Sequence, residues 1–181
     1  DPMDVRLFIV GTDTPGYISP GSAVMMQGRI QGKEMPTACM DINCSCAGFT
    51  TALDVAAKMV AADATYKYSV VVGVYNMPAF IKPGDAFGHA IFADGAGAVV
   101  LERTEDSDVS GYIGGHLKSD GTQCDFIGVY AGGTKKPITH EILDSGDYGL
   151  QNLKPLPGNR NVQLWPPIAK DLMGKFGLEI K

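Results

Sequence analysis

The feature that most restricts the fold of this chain is a junction near its first quarter. Ala38-Cys39-Met40-Asp41-Ile42 is a short apolar run broken only by Asp41, the pattern of a buried strand. Within four residues it gives way to a helix, in which Phe49, Leu53, Ala56, Ala57 and Val60 recur at helical spacing. Thr50, Asp54 and Lys58 fall on the opposite side, with Asp54 four residues ahead of Lys58, a favourable helix pair. Cys46 therefore stands at or near a helix N-terminus. Exposed N–H groups and the helix dipole favour an anion there, which lowers a thiol pKa and makes a nucleophile. On the residues alone a second reading stays open, in which Cys46 is a small buried hydrophobe.

The segments on either side extend this unit into a sheet. Val5 to Val10 reads as a strand ended by Gly11, and the polar link Thr12 to Gly16 leaves at its C-terminal end. In an open α/β sheet that edge is where ligands bind, although a plain turn accounts for the link equally well. Ser19-Pro20 predicts a capped helix start with proline in the first turn, running to about Ile30 and ended by Gly32, with Met25 and Met26 as core filler. Tyr68 to Val74 is a nearly continuous β-branched run, the mark of a central strand. Strand, helix, strand, helix, strand implies right-handed crossovers and a mainly parallel sheet. The loop from Tyr75 to Gly88 leaves that sheet beside the Cys46 helix and turns Asn76, Met77 and Phe80 toward a pocket.

Phe92-Ala93-Asp94-Gly95-Ala96-Gly97-Ala98-Val99-Val100-Leu101 is a tight glycine feature feeding a strand. It has neither the glycine order of a dinucleotide fingerprint nor the lysine of a phosphate loop. An acidic turn, Glu102 to Asp108, leads to a predicted strand over Val109 to Leu117, so the two strands form a hairpin and an antiparallel edge. From Ser119 to Asn161 no period holds, and the stretch reads as a long irregular loop. Val162 to Phe176 is a predicted helix whose start the pair Pro166-Pro167 pushes toward Pro167, with Gly177 as its cap.

Composition narrows the class without naming a chemistry. The 181 residues suffice for one sizeable core, and no run of eighteen apolar residues predicts a membrane span. The opening Asp1-Pro2-Met3-Asp4 lacks the features of a signal peptide. Net charge of -5 disfavours nucleic acid as a partner. Cys39, Cys44, Cys46 and Cys124 in a domain of this size argue for a reducing compartment and hence a cytoplasmic location, and their spacing is poor for a metal.

Taken together, Asp41-Ile42 with Cys46-Ala47-Gly48-Phe49, Val70-Val71-Val72-Gly73, and Phe92 to Leu101 resemble β-ketoacyl-acyl-carrier-protein synthase III, a thiolase-like condensing enzyme family that primes fatty acid synthesis. Leu7 to Pro15 and Ser119-Asp120-Gly121 fit the same order and spacing. The resemblance implies a thiolase-like α/β fold, with Cys46 as the acyl-accepting nucleophile, Cys44 as a buried neighbour, and Met77 and Phe92 lining an acyl pocket. It implies no cofactor beyond a coenzyme A thioester used as substrate. It also implies decarboxylative condensation of an acyl-coenzyme A with malonyl-acyl-carrier-protein, and a homodimer in which strand Ala38 to Ile42 pairs with its symmetry mate. A non-catalytic thiolase-fold fragment or interaction domain is the alternative.

Set against the two similar halves of that family, residues 1–118 correspond to the first half without its opening strand-helix unit. Residues 119–161 are then the long loop and 162–181 the start of the second half. The family's catalytic His and Asn belong to the second half, and His89, His116 and His140 match neither, so the 181 residues alone are expected to lack the base. One departure stands out. Commoner members carry Asp-Arg where this chain has Asp85-Ala86, and that arginine helps hold the coenzyme A adenine. The change points to another acyl donor or acceptor.

Overall fold

The computed structural model describes residues 1–105 and 111–179, in two compact units. The first comprises Asp1–Asn76 and Asp94–Gly114 and holds a four-stranded sheet in the order β2-β1-β3-β4. Its strands are β1 (Val5–Gly11), β2 (Ala38–Ile42), β3 (Tyr68–Asn76) and β4 (Asp94–Glu102). β1 pairs in parallel with β2 and β3, while β4 runs antiparallel to β3. The mainly parallel α/β sheet with an antiparallel edge is thus present, and β4 itself forms that edge, so no hairpin partner is needed. The strand expected over Val109 to Leu117 is not found: its first two residues lie outside those described, and 111–117 form no strand. Gly111, Gly114 and Gly115 interrupt this stretch, and Tyr112 turns aside to donate its hydroxyl proton to the Asp54 carboxylate.

One face of the sheet carries α1 (Ser22–Gln31), the other α2 (Gly48–Ala62). Leu7, Ile9 and Val71 point at Ala52 and Ala56 of α2, all fully buried. Val5, Phe8 and Val10 point the other way, onto Ala23 and Met26 of α1. The alternation along β1 is that of a strand covered on both sides. β2 lies at the sheet edge and is only half-buried.

Helix α1 begins two residues later than Ser19 as a cap would require. Its N-cap residue is Gly21, and the missing side-chain acceptor comes from the neighbouring strand: Asp41 Oδ2 and Oδ1 accept the N–H groups of Ser22 and Ala23 at 2.6 and 2.8 Å. The aspartate that interrupts the apolar run of β2 therefore satisfies the open end of a helix eighteen or more residues away. Gly32 closes that helix in the left-handed conformation, as predicted. Asp41→Ala should cost about 1 kcal/mol of stability, within the range for a lost cap, measurable by urea unfolding. No change would mean that water replaces the carboxylate at no cost.

Asp54 is also placed differently from its position on the helical wheel. It is 5% exposed, although it belongs to the polar side of α2, because Tyr112 covers it while Lys58 Nζ donates at 2.6 Å. Burial, then the hydrogen bond to Asp54 and the charge of Asp54, push the Tyr112 phenol up to about 12. A phenol whose pKa is raised on folding stabilises the fold below about pH 10 and loses that contribution as pH climbs through 12. Tyr112→Phe should therefore cost about 1 kcal/mol at neutral pH, and the difference from the unmodified chain should close between pH 10 and 12. A pH-independent difference would assign the effect to packing.

The second unit comprises Met77–Ala93 and Gly115–Lys181. The stretch expected as loop to Gly88 includes a 3-10 turn, Met77–Phe80, and helix α3 (Ala86–Ile91). Asp85 caps α3 by accepting the Gly88 N–H at 2.9 Å. Nor is 119–161 irregular throughout. It contains α4 (His140–Ser145), capped by Thr139, and a two-stranded antiparallel sheet of β5 (Ile127–Val129) and β6 (Leu150–Asn152). Elements of three to six residues are too short to show a period, which is why they escape pattern reading. Helix α5 runs from Arg160 to Phe176 straight through Pro166-Pro167, forgoing two backbone donors rather than starting after them.

Candidate active site

The site forms where β1, β2 and β3 of the first unit end. Gly11, the last residue of β1, sits on the α2 side of the sheet, and an added Cβ there would lie 2.4 Å from the carbonyl carbon and oxygen of Gly48. The missing side chain lets the first residue of α2 rest directly on the sheet. Gly73, beside Gly11 in the register, repeats the arrangement: its Cβ would lie 3.0 Å from Cβ of Phe49. These two glycines fix how closely the helix start approaches the strand ends.

That approach places Cys46. It lies in a 3-10 turn, Ser45–Ala47, which leads into α2, so the α-helix proper begins two residues after the cysteine. Ser45, just before it, has φ of 47°, a left-handed conformation that costs a non-glycine residue on the order of 1 kcal/mol. Such strain turns the chain sharply between strand and helix. Cys46 is exposed, as is Cys44, the N-cap residue of the same turn, whose expected burial is not observed. Cys39 is half-buried in β2, and burial followed by the nearby Asp41 charge pushes its thiol up. Cys124 is exposed.

An open cavity of about 560 Å³ lies against Cys46. Gly11, Thr12, Ser45, Phe49, Gly73, Val74, Tyr75 and the first residues of β4 from Gly95 to Val99 complete its lining. The link after β1 is tied down on both sides: Thr12 N–H donates to the Ile42 carbonyl at 3.0 Å, and Thr14 Oγ1 accepts the Asn76 N–H at 2.8 Å. Of this link, Thr12 borders the cavity. Asp13, the next residue, has one carboxylate oxygen shut off from water without a hydrogen-bond partner among the described residues. Burial, then Asp13 and the Cys46 thiolate, push the Tyr75 phenol up to about 12. Pattern reading took Asp13 only as part of the polar link and Tyr75 only as the start of the following loop. The periodicity of β3, which reaches Asn76 rather than Val74, is the signal that places Tyr75 on the Cys46 side.

Met77 and Phe92 belong to the second unit, where Met77 is buried at the start of its 3-10 turn and Phe92 follows α3. Their role in an acyl pocket rests on the resemblance. The three histidines also belong to that unit. His116 Nε2 lies 3.7 Å from an Asp171 carboxylate oxygen, and the cavity lining includes no histidine. Among the described residues no group of three or more His, Cys, Asp or Glu side chains is arranged to hold a metal. No helix among them is long and apolar enough to cross a membrane.

Residues 40–121, which contain the cysteine turn and all of β3 and β4, match the model of the 3-oxoacyl-[acyl-carrier-protein (ACP)] synthase III family. The β-ketoacyl-[acyl-carrier-protein] synthase III of Chlorobium luteolum is 35% identical over 176 residues, 97% of this chain and 52% of that protein. Its counterpart from Natranaerobius thermophilus is 32% identical over 152 residues, 83% of this chain and 45% of that protein. The chain spans about half the length of these curated relatives. In fold it is similar to the crystal structure of 3-oxoacyl-[acyl-carrier-protein] synthase III from Aquifex aeolicus, with a TM-score of 0.76 over 98% of this chain and 51% of that one at 22% identity. The priming β-ketosynthase of the R1128 polyketide pathway gives 0.78 over 98% and 51% at 24%. In its matched segment and in its neighbours in sequence and fold, the chain is similar to 3-oxoacyl-[acyl-carrier-protein] synthase III, and its architecture is thiolase-like.

Proposed function

We propose that this chain carries the acyl-accepting site of a condensing enzyme and that Cys46 is its nucleophile. The observation that supports this most is the placement of Cys46, held on a strained turn at the start of α2 and opening on a cavity at the C-terminal ends of parallel strands. The thiolate attacks the carbonyl carbon of an acyl-coenzyme A. A new C–S bond forms at Cys46, the bond to coenzyme A breaks, and the departing thiolate takes up a proton. Malonyl-acyl-carrier-protein then loses carbon dioxide, and the resulting carbanion attacks the acyl-Cys46 carbonyl and expels the cysteine thiolate. Backbone N–H groups at the helix start, that of Cys46 among them, stabilise the tetrahedral oxyanion. Met77 and Phe92 bound the acyl pocket.

The partners follow from the chemistry: an acyl-coenzyme A, malonyl-acyl-carrier-protein, the remaining segments of the same protein, and a second copy. In the homodimer β2, whose outer edge has no strand neighbour among the described residues, pairs with its symmetry mate and continues the sheet. Four thiols outside any disulfide fit a reducing, cytoplasmic setting. Ala86, in the position of an adenine-holding arginine, opens α3 and favours a donor other than acetyl-coenzyme A.

Loading and condensation separate these 181 residues from a whole enzyme. The cavity offers a nucleophile but no imidazole and no side-chain amide for a thioenolate, and each such donor is typically worth a hundredfold or more. The purified chain should therefore form acyl-Cys46 slowly from an acyl-coenzyme A and should not release a condensed product. Intact mass with a carbon dioxide release assay checks both. Full turnover by these residues alone would require a different catalytic set.

A further inference from the structure

Acyl transfer uses one thiol of the cysteine turn and leaves the other without a task. Cys44 and Cys46 stand two residues apart, both exposed and both free of any disulfide. The Cys44 carbonyl accepts the Ala47 N–H at 3.0 Å, which closes Cys44 to Ala47 into a turn around Ser45, whose φ is 47°. Two Cα–Cα links of about 3.8 Å, bent at such a turn, set the Cα atoms of Cys44 and Cys46 roughly 5.5–6.5 Å apart. A disulfide bridges a span of about 4.4–6.8 Å. Cys46 opens on the cavity and Cys44 does not line it, so joining the pair calls for rotation of exposed thiols and leaves the sheet in place. Cys39 is a poorer mate. It is half-buried in β2, three residues before Ile42 and roughly 10 Å of extended backbone from it.

Resting on the acyl-transfer reading above for its consequence, we propose that Cys44 is a resolving thiol, which closes on Cys46 after a peroxide has oxidised the nucleophile. The Cys46 thiolate attacks one peroxide oxygen. An S–O bond forms, the O–O bond breaks, and the departing hydroxide takes up a proton to become water. The Cys44 sulfur then attacks the sulfenic sulfur of Cys46. The S–S bond forms, the S–O bond breaks, and the hydroxide that leaves carries off the Cys44 proton as a second water. The two thiols together give up two electrons, and the peroxide gains them. The resulting disulfide masks the nucleophile at a stage that a dithiol reverses. A sulfenic acid with no second thiol goes on to sulfinic acid, which a dithiol does not reverse. Transient disulfides that sense oxidants are the kind that reducing compartments tolerate.

The test treats the purified chain, Cys44→Ser and Cys44→Ala with hydrogen peroxide and blocks the remaining thiols with N-ethylmaleimide before peptide mapping by tandem mass spectrometry. A parallel sample receives dithiothreitol in place of the block and is assayed for loading from an acyl-coenzyme A. Before peroxide all three proteins should load within about twofold of one another. After peroxide the unmodified chain should lose two hydrogens at an unblocked Cys44–Cys46 pair, with Cys39 and Cys124 blocked, and dithiothreitol should restore its loading almost fully. The two variants should instead gain two oxygens at Cys46 and recover less than about a tenth of their loading. Equal recovery in all three, or pairing of Cys46 with Cys39, Cys124 or another chain, would overturn the proposal. The mass readout needs no loading, so a chain that forms the Cys44–Cys46 bond and never loads would uphold the resolving pair and overturn the acyl-transfer reading alone.

Discussion

Cys46→Ala is expected to abolish acyl loading, a loss of at least a thousandfold on the order seen when a covalent nucleophile is removed, with the fold unchanged. The two halves of this expectation have separate causes. Cys46 is exposed in a 3-10 turn and belongs to neither core cluster, so its truncation should move stability by no more than about 0.5 kcal/mol. Its sulfur, however, is the only strong nucleophile on the cavity, since the other lining side chains with a heteroatom are hydroxyls. Cys46→Ser keeps the shape and offers a hydroxyl that is almost wholly protonated at neutral pH, so it should load little better than alanine. Cys44→Ala, two residues away and equally exposed, should load within about twofold of the unmodified chain, because Cys44 is not part of the lining. Retained loading in Cys46→Ala, or loss in Cys44→Ala, would move the nucleophile.

Gly11→Ala is the second large effect, and it acts through backbone. The new methyl would sit 2.4 Å from the carbonyl of Gly48 and 2.7 Å from the N–H nitrogen of Phe49. No side chain can swing away to relieve this, so the first turn of α2 must lift from β1. Overpacking of this kind typically costs about 1–3 kcal/mol, and a chain of this size should lose roughly 2–4 °C of melting temperature per kcal/mol. The lift also carries Cys46 away from the strand ends, so loading should fall well beyond what the stability loss explains, by about a hundredfold for a displacement near 1 Å. Gly73→Ala makes a useful contrast. Its methyl would meet the Phe49 side chain at 3.0 Å, and a ring can rotate where a peptide cannot. A Gly11→Ala protein that melts and loads normally would show that the close approach of strand and helix is not what seats the cysteine.

The parts of the fold legible in the chain were those in which neighbours in sequence are neighbours in space. β1 and β2 follow from short apolar runs and β3 from a β-branched one, α2 from its apolar stripe, and the cysteine at the strand-to-helix junction from β2 and α2 together. What escaped depends on partners far along the chain. The cap of α1 comes from Asp41, so a Ser-Pro signal at residues 19 and 20 misplaced the helix start. Asp54 is buried by Tyr112, fifty-eight residues on, and no wheel diagram of α2 contains that residue. The antiparallel edge was expected, yet it arises from β4 returning along β3 and not from a hairpin with residues 109–117. Within the site, local pattern placed Cys46 at a helix start but left inert burial open until the family resemblance favoured the nucleophile, and it gave Gly11 only as a strand end. The clash that makes Gly11 indispensable exists only once β1 and α2 meet.

The claim that organises all of this is that Cys46 accepts the acyl group. It is tested most directly by incubating the purified chain with an acyl-coenzyme A at neutral pH, digesting under acid, and locating the acyl mass by peptide mapping. The acyl group should be found on the peptide bearing Cys46 at Cys46 itself, ahead of Cys44, Cys124 and the half-buried Cys39. Acyl mass on Cys124 or Cys44, with Cys46 recovered as a free thiol, would contradict it.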